Sequence, residues 1–423
     1  MNEKLLHFIW KFQLFDKGNL LTTAGDIVEV VYPGLHNTDA GADFQQAKIR
    51  IGNTLWAGNI EMHVRSSDWF LHRHQTDKAY NNVILHIVFE ADSRVALREN
   101  GEEIPMLVLQ DRVNSATLLR YSELEKSKQW IPCSKFFAEQ DAFIRDTFGQ
   151  RLLTERLENK VESINELLEQ NDNDWENVLF QMLAQYMGAP INKDPFLLLA
   201  KSLAVNVWSK YCGNLMQLEA LLFGQAGFLQ HSFDDEYPNR LRKEYLYLKK
   251  LHNLQPLEKH IWKFLRLRPS NFPTVRIAQL AALINTESKM FSKMAEANSV
   301  EMIQQFFSAE ISEYWRTHYN FDKPAKQHSA QIGSSMANVL FINAIAPVLF
   351  AYGRYKDKED LCTKAISFLE NSKPEVNAVT NNWAKLNWKA ENAFQSQAML
   401  QLKNEYCSKF RCVECAIGAA ILR

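Results

Sequence analysis

Between Asn37 and His86 the sequence gathers the side chains best suited to chemistry. Asp43 stands at the head of one predicted strand, and Glu61 and His63 lie two residues apart on the next. Alternation along a strand sends Glu61 and His63 to one face. A hairpin across Gly52-Asn53 brings Asp43 to the same side. Two carboxylates there can share a hard divalent cation, Mg²⁺ or Mn²⁺, through oxygen ligands. A third group helps to position or deprotonate the attacking water beside such an ion, and a neutral imidazole at His63 can do so near pH 7. The stretch from Ser66 to His74 is polar and carries Asp68, His72 and His74, so it is expected to hang over the same face. His63 with His72 or His74 also suits a transition metal, which makes a zinc site a competing reading. The plainer alternative is that Asp43 caps a turn and that Glu61 and His63 are half-exposed strand residues. The density of Asp39, Asp68, His72 and His74 around them argues for a site. His86, inside an apolar run, reads as a satisfied core histidine.

Two further constellations lie outside this region. From Arg240 to Arg276 there are ten Lys and Arg against Glu244 and Glu258, a local charge of +8 in a chain whose net charge is −1. Tyr245, Tyr247, Trp262, Phe264 and Phe272 are interleaved with these cations. Cations neutralise phosphates and rings stack on bases, so Lys263, Arg266, Arg268 and Arg276 are candidate nucleic-acid contacts; the alternative is internal pairing with the acidic remainder. At the other end, Cys407, Cys412 and Cys415 follow a C-x₄-C-x₂-C spacing. Tight cysteine spacing of this kind points to metal rather than disulfides. Three thiolates fall one short of a tetrahedral site or a cubane, and Cys133 is the candidate fourth. The ligand would be an iron–sulfur cluster or Zn²⁺; the alternative is three reduced thiols at the end of a buried helix, since cysteine packs well in cores.

These residues must be positioned by ordinary globular structure. The chain has 423 residues, 46% hydrophobic and 23% charged, which excludes a disordered or fibrous protein. Glycine and proline supply only 15 and 12 residues, about half the usual share, as long helices require. No uninterrupted run of 18 apolar residues occurs, so no membrane span is expected, and the N-terminus lacks the apolar core of a signal peptide. A cytoplasmic protein is expected. Residues 1–130 read as a mixed α/β domain: a helix over Glu3 to Phe15, then strands over Asp26 to Tyr32, Ala47 to Ile51, Leu55 to Val64 and Val83 to Glu90. A last hairpin is expected between Val95 to Leu97 and Ile104 to Leu109. From about 131 to 423 helical periodicity dominates, as in Arg151 to Gln170, and predicts a large all-α domain. No G-x-G-x-x-G after a strand, G-x₄-G-K-[ST] or G-x-S-x-G occurs, so nucleotide-binding and α/β-hydrolase folds lack support.

The order helix, strand, Asp-bearing strand, Glu-x-His strand, short helix, strand resembles the core of the PD-(D/E)xK nuclease superfamily over residues 1–110. That resemblance implies a restriction-endonuclease-like mixed sheet and metal roles for Asp43 and Glu61. It puts His63 where the family's lysine stands and offers Glu29 as an additional acidic metal ligand; His72, from the polar loop over the same face, is a further catalytic candidate. The implied function is a Mg²⁺- or Mn²⁺-dependent nucleic-acid phosphodiesterase. The alternatives are a catalytically inactive nucleic-acid-binding or scaffold protein on the same fold, or a zinc-binding protein using the histidines. Some nucleases of that superfamily staple the domain with one remote cysteine and a C-terminal trio on an iron–sulfur cluster. Cys133 with Cys407, Cys412 and Cys415 resembles that arrangement, with different spacing. The whole chain also resembles an uncharacterised bacterial family of unknown function, through Asn37 to Phe44, Glu61 to Trp69, Trp262 to Leu280 and Tyr406 to Gly418.

Overall fold

Strand formation in the first part of the chain follows its β-branched and alternating runs. β1 (Val28–Tyr32), β2 (Leu35–His36), β3 (Phe44–Ile51), β4 (Thr54–Arg65), β5 (Val83–Glu90) and β6 (Met106–Val108) make one mixed sheet with the order β1-β3-β4-β5-β6 and β2 paired to β3. The computed structural model describes every residue except Arg94. β1 and β4 run antiparallel to β3, whereas β4–β5 and β5–β6 are parallel. The β3–β4 turn spans Gly52 and Asn53, with Gly52 at φ 57°. A left-handed glycine at the first turn position alone is the II′ pattern, which explains why the order is Gly-Asn rather than Asn-Gly.

The expected hairpin between Val95 to Leu97 and Ile104 to Leu109 shrinks to a single bridge, Leu97 to Glu103. β6 instead joins β5, pairing His86 with Met106 and Val88 with Val108. β5 is buried along most of its length, so its second edge needs a partner for its backbone N–H and C=O groups.

Helix α1 (Glu3–Lys11) is capped by Asn2, whose side chain accepts the Leu5 N–H, and it buries Leu5, Leu6, Ile9 and Trp10 as it packs on β4. A single helical turn, α2 (Asp68–Leu71), begins the crossover from β4 to β5. Helix α3 (Ser115–Glu125) receives the end of the chain: Thr117 Oγ1 donates to the Leu422 carbonyl at 3.2 Å and Arg120 Nη1 to the Ile421 carbonyl at 3.0 Å.

The chain forms two compact units, Met1–Phe148 with Leu402–Arg423, and Gly149–Gln401. The expected break at 130 is thus displaced, and residues 402–423, read from sequence as part of the helical domain, group with the sheet. The second unit is mostly helical around a core that includes Phe180, Phe196, Trp208, Phe223 and Trp315. It is not purely α, because His318–Asn320 and Lys323–Pro324 pair as a short ribbon. One helical stretch, Ser334–Tyr355, is long and apolar enough to cross a membrane, with 72% of its apolar window buried inside the fold. Such burial is that of a core helix.

Candidate metal centre

β4 presents Glu61 and His63 on one face, both buried. β5 lies parallel beside it, with Glu61 opposite His86 in register, so His86 emerges next to them. Asp43 immediately precedes β3 and is tied to β4 twice. Its N–H donates to Glu61 Oε2 at 3.2 Å, and its Oδ2 accepts the Met62 N–H at 2.9 Å. α1 contributes His7, whose Nε2 lies 3.2 Å from Asp43 Oδ2. After α2 the backbone reverses at Arg73, φ 63°. This left-handed step, uncommon for a residue with a side chain, lets His72 and His74 both turn back onto β4.

The three imidazoles of His63, His72 and His74 offer ligand nitrogens that all lie within 4.8 Å of one another. Glu61 Oε1 faces the same point, 3.3 Å from His74 Nε2 and 3.7 Å from His63 Nε2. His63 is the hub, with Nδ1 2.9 Å from His86 Nε2 and Nε2 3.2 Å from His72 Nδ1. Trp69 packs against the rings of His63, His74 and His86 and is held by an N–H donated to the Leu97 carbonyl at 3.1 Å. Tyr80 covers His74, with ring centres 3.8 Å apart. His72 stands open to solvent while His63 is closed off, so the cluster has one accessible side.

Burial, reinforced by the neighbouring imidazoles of His86, His74 and His72, pushes the His63 pKa down to about 2. Burial likewise lowers His86 to about 3. Both rings are therefore neutral at physiological pH, the state in which imidazole binds metal. A neutral His63 carries one N–H. Donating it from Nδ1 to His86 leaves the Nε2 lone pair aimed at His72, His74 and Glu61, a tautomer assigned from the network. Glu61 is raised above the usual carboxylate range, first by burial and then by the charge of Asp43. The buried Nε2 atoms of His7 and His74 face the carboxylates of Asp43 and Glu61, whereas the buried Nδ1 of His86 has no hydrogen-bond partner.

Of the residues singled out from sequence, Asp43, Glu61, His63 and His72 converge here, and His74 joins them. Glu29 does not. It pairs with Arg50 at 2.9 Å, at the opposite end of β3 from Asp43, because the register sets Glu29 against Arg50. The placement of Asp43 and Glu61 suggests Mg²⁺ or Mn²⁺ on carboxylates, with zinc on the histidines as the competing reading. The donors brought together here are mainly nitrogen, a set that suits Zn²⁺ and its transition-metal neighbours. His86 is buried as expected, yet it is bonded to His63 and so belongs to the centre. His7 was missed; it lies on a helix whose docking onto β4 has no local sequence signal.

In the second unit, Lys263, Arg266 and Arg268 are exposed in the irregular stretch between the helices Glu236–Leu251 and Pro273–Thr286. Arg276 differs. Its guanidinium donates to Gln279 at 2.8 Å and Asn271 at 2.6 Å, and burial lowers its pKa to about 10. It braces the turn before its helix rather than offering a free phosphate contact.

The family model described as a protein of unknown function (DUF2851) matches residues 3–378. The chain belongs to that family. No curated protein and no solved structure matches it. The DUF2851 match includes every residue of the histidine–carboxylate centre, along with Asn37 to Phe44, Glu61 to Trp69 and Trp262 to Leu280, whereas Tyr406 to Gly418 lies beyond it.

Proposed function

We propose that the first unit is a transition-metal-dependent phosphodiesterase acting on nucleic acid. The observation that carries this reading is the trio His63, His72 and His74 with Glu61 Oε1 facing the same point. Three histidines and a carboxylate oxygen are a donor set for Zn²⁺ or Mn²⁺. A metal held by the three histidines would supply Lewis acidity and acidify a water at its open position. The chain's own residues do the rest. His86 fixes the His63 tautomer, Asp43 ties the head of β3 to β4 and leans on His7, and Trp69 and Tyr80 exclude water from the inner side.

The phosphodiester substrate is inferred from the arrangement of elements. Three antiparallel strands, an acidic residue heading the second, Glu-x-His on the third, and a parallel fourth strand reached through a short helix are similar to the PD-(D/E)xK core. The exposed cations Lys263, Arg266 and Arg268 support a polyanionic substrate.

The test is cleavage of labelled single- and double-stranded DNA and RNA by the full chain, first stripped with EDTA and then supplied with Zn²⁺, Mn²⁺ or Mg²⁺. Cleavage with Mn²⁺ or Zn²⁺, lost in Glu61→Gln and His74→Ala, is expected. Bound metal without cleavage would assign a structural ion on a non-catalytic scaffold, with Glu61 as a fourth ligand closing the tetrahedral site. In the catalytic reading the three histidines hold the ion and Glu61 stands beside the position left for water. Cleavage undiminished in both variants would place the chemistry elsewhere.

A further inference from the structure

In the first unit a cleft of about 680 Å³ opens beside β4 and β5, the strands that carry Glu61, His63 and His86. That is the size of a small-ligand site. Trp56 and Ile84 give it an apolar side, and Asn81, Arg98, Glu99 and Glu102 bring polar groups to it. Among the described residues, Trp56 alone of the ten tryptophans is exposed, at 43%, although its register partner on β3, Ile49, is buried. Neither the Trp56 indole N–H nor the side-chain amide of Asn82, which also lines the cleft, has a hydrogen-bond partner among the described residues.

The polar wall is fixed in advance. Arg98 donates from Nη2 to the Val83 carbonyl at 3.0 Å and pairs through Nη1 with Glu102 at 3.4 Å. Asn81 donates to Glu99 at 3.1 Å. A tight turn holds these groups: the Arg98 N–H bonds the Glu102 carbonyl at 2.8 Å and the Gly101 N–H bonds the Arg98 carbonyl at 3.0 Å, with Gly101 at φ 81°. A wall set before binding spares the ligand the cost of ordering it. Its charges also select the ligand. One arginine against two glutamates leaves the lining at −1, which repels a phosphate. Both carboxylates already have partners in Arg98 and Asn81, so neither calls for a bound cation. A flat neutral ring with donors and acceptors along its edge suits all of these groups, and unpaired bases are recognised in this way, by stacking on aromatic rings and hydrogen bonding at the edge.

We propose that this cleft holds one unpaired nucleobase of the substrate strand, stacked on Trp56 with the Asn82 amide at its edge. The ligand class rests on the nucleic-acid reading of the metal centre. Inside a duplex the faces of a base are covered by its neighbours, so a base that stacks on Trp56 has left the helix. The preferred substrate is therefore single-stranded. Trp56 precedes Glu61 by five residues on β4, roughly 17 Å along a strand. The stacked base thus lies a few nucleotides from the phosphate at the metal.

The test is fluorescence anisotropy of the full chain, in EDTA so that nothing is cut, with labelled single-stranded and duplex DNA and RNA of one sequence. Tighter binding of the single strand is expected. Trp56→Ala should weaken it by roughly 5- to 150-fold, the range for one lost base stack, and Trp56→Phe should restore most of it, with duplex affinity unchanged in both. Single-strand affinity unaffected by Trp56→Ala would overturn the proposal. So would Trp56-dependent binding of free adenosine monophosphate, or of an arginine-rich peptide, without preference for the single strand. Metal-dependent cleavage in a Trp56→Ala protein of undiminished affinity would remove the cleft and leave the phosphodiesterase standing. Trp56-dependent binding of the single strand without cleavage would uphold the cleft and remove the catalysis.

Discussion

His63 reaches into two environments at once: its Nδ1 meets His86 inside the sheet, and its Nε2 meets His72 at the open side. A metal-binding imidazole needs such an inner acceptor to hold its tautomer and orientation, and loss of the acceptor costs roughly 10–100-fold in metal affinity. His86→Phe, which keeps a ring in the same space, is therefore expected to weaken Mn²⁺ or Zn²⁺ binding by about that factor, measured by calorimetric titration. Unchanged affinity would show that His86 is only a packing residue.

A second residue-scale expectation concerns Glu219, fully buried in the second unit, which accepts from Tyr237 and Ser312 at 2.8 Å and from Trp315 at 3.1 Å. Burial raises its pKa from 4.5 to about 7. The folded state thus favours the protonated form, so its stabilisation is complete below pH 4.5 and is lost as pH rises through about 7. The loss is on the order of 3 kcal/mol. Urea midpoints of the native protein should fall across that window relative to Glu219→Gln; parallel profiles would contradict the assignment. Asp43, Glu61 and His63 were legible in sequence because strand alternation fixes their face. His7 and His86 were not, because only tertiary docking and parallel register bring them in.

At the scale of elements, the centre depends on how closely β4 and β5 approach. Gly58 lies on β4 ahead of Glu61, and a Cβ there would meet Ile84 Cγ2 at 2.4 Å and the Asn82 carbonyl at 2.7 Å. Gly58→Ala should force the strands apart, at a cost of about 1–3 kcal/mol by analogy with overpacked cores. It should also weaken metal binding, because Glu61 and His86 are register partners just beyond. Denaturant unfolding together with metal titration checks both, and native stability would mean that the pairing tolerates the methyl. The helix α1 and strands β1, β3, β4 and β5 are legible from apolar periodicity to within a few residues. The partner of β6 is not, because a local hairpin signal around Asn100-Gly101 says nothing about the unpaired edge of β5.

For the whole molecule, sequence periodicity distinguishes a sheet-bearing part from a helical one but not their true extents. Periodicity is local, and it cannot reveal that Ala416–Leu422 returns to α3 through Thr117 and Arg120. The exposed cations of the second unit carry an expectation at this scale. If the substrate is a nucleic acid, replacing Lys263, Arg266 and Arg268 together by Ala should weaken binding for all sequences alike. The slope of log affinity against log salt should shrink by roughly 0.9 for each phosphate left without its cation. An unchanged slope would assign these charges to solubility.

A metal is expected among His63, His72, His74 and Glu61, and anomalous X-ray diffraction from crystals soaked in Mn²⁺ or Zn²⁺ would locate it. One strong anomalous peak within coordinating distance of the three imidazoles and Glu61 Oε1 is predicted. No peak there, or a peak only at unrelated surface carboxylates, would contradict it.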